Sequence, residues 1–69
     1  MKEFNLDGSE YIPLCDLLKI VDFTNSGAEA KHLIAEGKVK VDGVVELRKR
    51  CKIRSGQIVN FQGKEVKVI

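Results

Sequence analysis

The chain has 69 residues, 43% of them hydrophobic and 32% charged, with a formal net charge of +2. That composition excludes a disordered tail, and the length leaves room for one modest core and one exposed working face. It leaves little room for a deep, walled catalytic pocket of about 300 Å³ or more, and no apolar run reaches the roughly 18 residues of a membrane-crossing helix.

In chain order, Glu3-Phe4-Asn5-Leu6 alternates polar and apolar residues, as a short edge strand does. Asp7-Gly8-Ser9 reads as a turn, and Tyr11-Ile12 reads as extended up to Pro13. A first helix is predicted from Pro13 to near Asp22 or Phe23. Leu14, Leu17, Leu18 and Val21 fall on one apolar stripe, while Asp16, Lys19 and Asp22 take the wet side. Ser26 caps a second helix and forms a capping box with Glu29. Ala30, Leu33 and Ile34 face inward, and Gly37 ends the helix in the left-handed conformation.

Strands follow. Lys38-Val39-Lys40-Val41 alternates, Asp42-Gly43 is a hairpin turn, and Val44 to Leu47 returns. The basic stretch Arg48 to Arg54 comes next, then a turn at Ser55-Gly56. Ile58 to Phe61, Gln62-Gly63 and Lys64 to Ile69 read as a final hairpin. The expected fold class is α+β. Two N-terminal helices, helix-turn-helix-like, pack on a small, mostly antiparallel twisted β-sheet, and residues 1–69 form a single domain.

The net charge hides a strong polarity. Residues 38–54 hold seven basic and two acidic residues, a net of +5, whereas the rest of the chain holds five basic and eight acidic residues, a net of −3. One positive surface results, and it points to a polyanionic partner. If Arg48 to Arg54 is extended, Arg48, Arg50, Lys52 and Arg54 line one side at about 6.6 Å spacing, with Cys51 and Ile53 turned to the core. Such a row matches successive phosphates, and arginine adds bidentate recognition. Lys31, Lys38 and Lys40 join this patch if the hairpin packs beside the second helix. Ser26 is a cap first, at a helix start that favours anions.

Catalytic chemistry finds no support. His32 has no partner that would make it a base, and Asp16, Asp22, Glu29 and Glu36 are spread along helix surfaces. There is no glycine-rich phosphate loop, Ser-His-Asp set or metal motif. Cys15 and Cys51 make no disulfide framework. With His32 they fall short of the roughly four ligands of a structural zinc site, and they are expected to be reduced thiols packed as small hydrophobes. Phe4, Tyr11, Phe23 and Phe61 are scattered and do not form the stacking platform of a single-strand binder. The first six residues lack a charged region followed by an apolar core, so a cytoplasmic location is expected.

The run Ser26-Gly27-Ala28-Glu29-Ala30-Lys31, then Ile34, then Glu36 to Gly43, resembles the RNA-binding domain named after small-subunit ribosomal protein four. Arg48-Lys49-Arg50 and Lys52 to Val59 extend the match, which covers about residues 12–62. The layout, including Leu14-Cys15-Asp16-Leu17-Leu18-Lys19, is similar to the short stand-alone YbcJ-like proteins of bacteria. The resemblance implies a helix pair on a small twisted sheet, with RNA bound by the second helix and the strands and loop after it. By match to that motif, Ser26, Lys31, Lys38, Arg48, Lys49, Arg50 and Lys52 inherit the RNA-facing role. Three positions depart from the family pattern: Gly27 stands where many members have arginine, Asp42 where asparagine is usual, and Gln57 where aspartate is common. The first makes the helix start less basic and shifts weight to Arg48–Arg54.

These readings combine into a non-catalytic protein that binds structured RNA, ribosomal or transfer RNA, through Ser26, Lys31, Lys38, Lys40, Arg48, Lys49, Arg50, Lys52 and Arg54. No cofactor, metal or membrane is expected, and the chain is expected to be a monomer. The rival is a protein-interaction module whose basic face docks an acidic partner.

Overall fold

Fifteen buried side chains drawn from both helices and from five strands form one cluster in the computed structural model, which describes residues 1–69. The elements are β1 (Lys2–Phe4), β2 (Ile12–Pro13), α1 (Leu14–Ile20), α2 (Gly27–Ala35), β3 (Val39–Val41), β4 (Val44–Val45), β5 (Lys52–Ile53), β6 (Ile58–Phe61) and β7 (Lys64–Val68). This is an α+β fold with a mostly antiparallel sheet. The predicted order needs one correction, because strands rather than helices open the chain. β1 runs parallel to β7, with Lys2 opposite Val66 and Phe4 opposite Val68. The other pairings are antiparallel and give a five-stranded sheet in the order β1-β7-β6-β3-β4, beside a separate ladder of β2 and β5.

The apolar stripe of α1 is buried as its spacing requires, and Cys15 is buried with it. Pro13 takes the N-cap position in extended conformation, so the helix starts one residue after it. The helix ends at Ile20 with Val21 as its C-cap, short of the predicted Asp22 or Phe23, and Asp22 just beyond adopts a φ of 62°. The Asp22 and Phe23 N–H groups donate to the carbonyls of Lys19 and Leu18 at 3.1 and 3.0 Å, the double bond pattern of a left-handed helix end. Lys2 Nζ adds a hydrogen bond to the Val21 carbonyl at 2.9 Å and ties β1 to that end.

Ser26 caps α2 as predicted, its Oγ accepting the Glu29 N–H at 3.1 Å. The return arm reaches one residue further back than a standard capping box. Glu29 Oε1 accepts from the Asn25 N–H at 2.8 Å. At the other end Gly37 has a φ of 79°. The Gly37 and Lys38 N–H groups donate to the Ile34 and Leu33 carbonyls at 3.0 and 3.2 Å.

In the sheet, Val39, Val41, Val59, Phe61, Val66 and Val68 are buried in the cluster that also holds the helix stripe. The register sets Val39 opposite Phe61 and Val41 opposite Val59, which in turn faces Val66. Two tight turns set this register. Asp42-Gly43 and Gln62-Gly63 have φ values of 52° and 84°, and of 50° and 83°, the paired positive angles of two-residue hairpin turns. β4 is shorter than the predicted Val44 to Leu47, although the Glu46 N–H still donates to the Val39 carbonyl at 3.0 Å, in register with the β3–β4 ladder.

Gly37→Ala is expected to cost about 1–2 kcal/mol by placing a Cβ in the left-handed region. An added Cβ would meet Val45 Cγ1 only at 3.7 Å, so the loss comes from the backbone rather than from a clash. Urea titration should show a lower midpoint with an unchanged slope.

Candidate nucleic-acid interface

The basic segment is not one straight strand. The chain turns between Arg48 and Cys51, where the Cys51 N–H donates to the Arg48 carbonyl at 3.2 Å. Lys49 and Arg50 occupy the corners of this turn and are exposed. Only Lys52–Ile53 is strand, with Ile53 opposite Ile12 and Lys52 opposite Pro13. The predicted alternation therefore holds in the second half, where Ile53 is buried and Lys52 and Arg54 are exposed, and fails in the first.

The start of α1 explains the turn. The first N–H groups of a helix need partners from outside it, and Pro13 offers no side-chain cap. The Leu14 N–H donates to the Cys51 carbonyl at 2.9 Å, and the Cys15 N–H donates to the Lys49 carbonyl at 3.1 Å. Curling two carbonyls onto the helix start requires the chain to bend, and the bend pushes Lys49 and Arg50 outward.

Arg48 is not a free cation. Its Nε and Nη2 grip the Glu46 carboxylate at 2.9 and 3.1 Å, and its own N–H donates to Glu46 Oε2 at 2.9 Å. Two parallel N–H···O bonds make this a bidentate pair. The Arg48 side chain and backbone N–H lower the Glu46 pKa from 4.5 to about 2, and the Glu46 carboxylate raises that of Arg48. Arg48 Nη2 also lies 3.5 Å from Cys51 Sγ. Burial, with the Glu46 carboxylate next, pushes the Cys51 thiol up, which holds it away from the reactive thiolate form.

Arg48, Arg50, Cys51 and Lys52 line a cleft of about 530 Å³. Three of these four linings are cationic, so the cleft suits an anion. Its neighbour is Tyr11, whose ring lies 5.0 Å from Lys52 Nζ and 5.8 Å from Arg54 Cζ. The sequence reading does not anticipate this placement of Tyr11 beside Lys52 and Arg54. The two-residue ladder that brings it beside Lys52 and Arg54 is too short to leave a periodic signal.

The remaining candidates are carried by other elements. Ser26 is exposed at the α2 cap, Lys31 is half-buried on α2, and Lys38 is exposed just beyond it. Lys40 alternates with the buried Val39 and Val41 and so projects from the opposite face of the sheet, between Val45 and Asn60. No hydrogen bond or ion pair joins these four to the cleft. His32 pairs with Glu36 at 3.0 Å on the exposed side of α2, a contact of small energetic weight.

A family model described as the S4 domain matches residues 4–69. The chain belongs to the S4 domain family. It is 55% identical over 69 residues to YbcJ of Escherichia coli strain K12, a protein named provisionally for RNA binding, and the alignment covers 100% of this chain and 99% of that one. YbcJ of Shigella flexneri, uncharacterized by name, matches to the same extent. The solution structure of YbcJ from E. coli, presented as revealing an ALFAL motif involved in RNA-binding, superimposes with a TM-score of 0.78. It covers 100% of this chain and 87% of that chain. The S4 match takes in both helices, the Arg48–Cys51 turn and the closing hairpin. No helix is long and apolar enough to cross a membrane.

A pH titration should expose the Glu46–Arg48 pair. The folded pKa of Glu46 is depressed, so the stabilisation from the pair is complete above about 4.5 and is lost as pH falls through about 2. The carboxyl carbon resonance of Glu46, followed by NMR, should titrate near 2 in the wild type. In Arg48→Gln the midpoint should move back towards 4.5.

Proposed function

We propose that this S4 domain protein is a non-catalytic RNA-binding module, and that residues 1–69 act as one domain. In this reading it grips structured RNA, ribosomal or transfer RNA, mainly through phosphates and shape. The observation that carries the reading is the docking of the cationic turn on the first N–H groups of α1. It fixes Lys49, Arg50, Lys52 and Arg54 on a rigid support next to an open cleft. A flexible basic tail would lose much of its affinity to ordering, whereas this turn is already ordered.

The roles within the site differ. Lys49, Arg50, Lys52 and Arg54 supply free positive charge, while Arg48 has to release Glu46 before it meets a phosphate. Lys31 and Lys38 extend the contact along α2, with the helix pair serving as a helix-turn-helix-like unit. Ser26 shapes the α2 start, and Lys40 makes a peripheral contact on the far sheet face. The protein works in the cytoplasm as a monomer and needs no metal or cofactor. The RNA-related name of its E. coli relative supports this reading.

Four to six phosphate contacts imply a log–log salt slope of about −4 to −5. Binding to a structured RNA, measured across a salt series with duplex DNA as control, should follow that slope. It should be abolished by Arg48→Glu, Arg50→Glu and Lys52→Glu together, in a variant still folded by circular dichroism. A flat salt response, or binding no better than to DNA, would overturn the proposal and turn attention to an acidic protein partner.

Glu46→Gln should act in the opposite direction. Freeing Arg48 adds a cation to the cleft, so RNA affinity should rise a few-fold and the salt slope should steepen by about one. Equal or weaker binding would mean that Arg48 serves the turn alone.

A further inference from the structure

We infer that Tyr11 is a base-stacking residue, and that the face made by Tyr11, Lys52 and Arg54 takes one unpaired nucleotide of the bound RNA. The base would lie on the tyrosine ring, with the adjoining phosphates against the two cations. This rests on the RNA-binding reading above and adds to it a single-stranded element of the target.

Strand register places the three residues together. Ile12 pairs with Ile53 and Pro13 with Lys52, so one further antiparallel step sets Tyr11 opposite Arg54. Ile12 and Ile53 are buried, and the residues alternating with them turn to solvent. Tyr11, Lys52 and Arg54 therefore share the outer face, within cation–π range of one another.

Tyr11 is also the aromatic side chain that the core does not claim. Phe61 is buried, and Phe4 and Phe23 pack against the buried cluster, whereas Tyr11 is 37% exposed. No hydrogen bond within the protein holds its hydroxyl. Lys52 and Arg54 lie over the ring on long, exposed side chains; swung aside onto the phosphates, they leave the ring what a nucleotide needs, a π-face for the base with positive charge beside it. Lys52 belongs to both this face and the cleft lined by Arg48 and Arg50, so a strand lying along the cleft continues over Tyr11 without a break. A base inside an A-form helix is covered on both faces by its neighbours, so the occupant of the ring is a base outside the duplex.

The test compares wild type, Tyr11→Phe and Tyr11→Leu on two RNAs, a blunt hairpin and the same hairpin with a short single-stranded extension at either end. One extension base is 2-aminopurine, whose fluorescence is quenched by stacking. Wild type and Tyr11→Phe should bind the extended RNA about tenfold more tightly than the blunt one and quench the probe. Tyr11→Leu should lose the preference and the quenching while keeping the wild-type affinity for the blunt hairpin. Equal wild-type affinities for the two RNAs would overturn the stacking role and leave the RNA-binding reading standing. Equal weakening of both RNAs by Tyr11→Leu would also overturn it, because that result describes a ring that only aligns Lys52 and Arg54. If wild type binds neither RNA, the RNA-binding reading fails and the stacking role fails with it.

Discussion

The positions of the functional groups depend on how the first turn of α1 satisfies its backbone. Leu14 is fully buried and Cys15 nearly so, so water has poor access to their N–H groups. A buried unpaired donor costs about 1–3 kcal/mol, and Pro13 brings no capping oxygen. The carbonyls of Lys49 and Cys51 meet this need from a segment more than thirty residues away. In supplying them, that segment acquires its bend, its anchorage and its outward side chains. A structural requirement of the core thus builds the backbone support that carries the cationic surface.

The bidentate Glu46–Arg48 pair closes the other side of the bend. Glu46 is joined through its own N–H to the Val39 carbonyl, so the pair links the basic turn to the central hairpin as well as to α1. One of the three cationic positions lining the cleft is thereby balanced locally. Charge counted along the sequence overstates what is free, since the Arg48 charge is already answered while those of Arg50 and Lys52 are not. Exposed cations on a fixed support retain their side-chain freedom but not their backbone freedom, which lowers the ordering cost of binding.

Much of the scaffold was legible in the sequence because it follows local rules. The stripe Leu14, Leu17, Leu18, Val21, the Ser26 cap, the left-handed Gly37 and the Asp42-Gly43 and Gln62-Gly63 turns each announce themselves within a few residues. The features that were not legible depend on contacts between distant segments. Nothing in Arg48-Lys49-Arg50-Cys51 shows that α1 will draw two of its carbonyls, so extension was the natural reading. The Glu46–Arg48 pair hides in an ordinary charge spacing, and the meeting of Tyr11 with Arg54 depends on a ladder of two residue pairs. The parallel pairing of β1 with β7 joins the two ends of the chain and leaves no mark on either. Two departures from the family pattern do become intelligible in space. Gln57 Nε2 lies 3.4 Å from Asp42 Oδ2, so an acid at the hairpin turn faces an amide at the later one.

The β1–β7 pairing bears on the order in which the structure is assembled. The β3–β4 and β6–β7 hairpins close over two-residue turns, and the two helices are joined by a short connection. These parts form with little loop entropy to overcome. β1 is made first during synthesis, yet its partner is Lys64–Val68. Until β7 has emerged, residues 2–4 have no strand to join, and the Lys2 bond that secures the end of α1 lacks the sheet that would hold it in place. Completion of the sheet is therefore a late, non-local event, and the edge of β7 stays open as a template for other chains until β1 covers it.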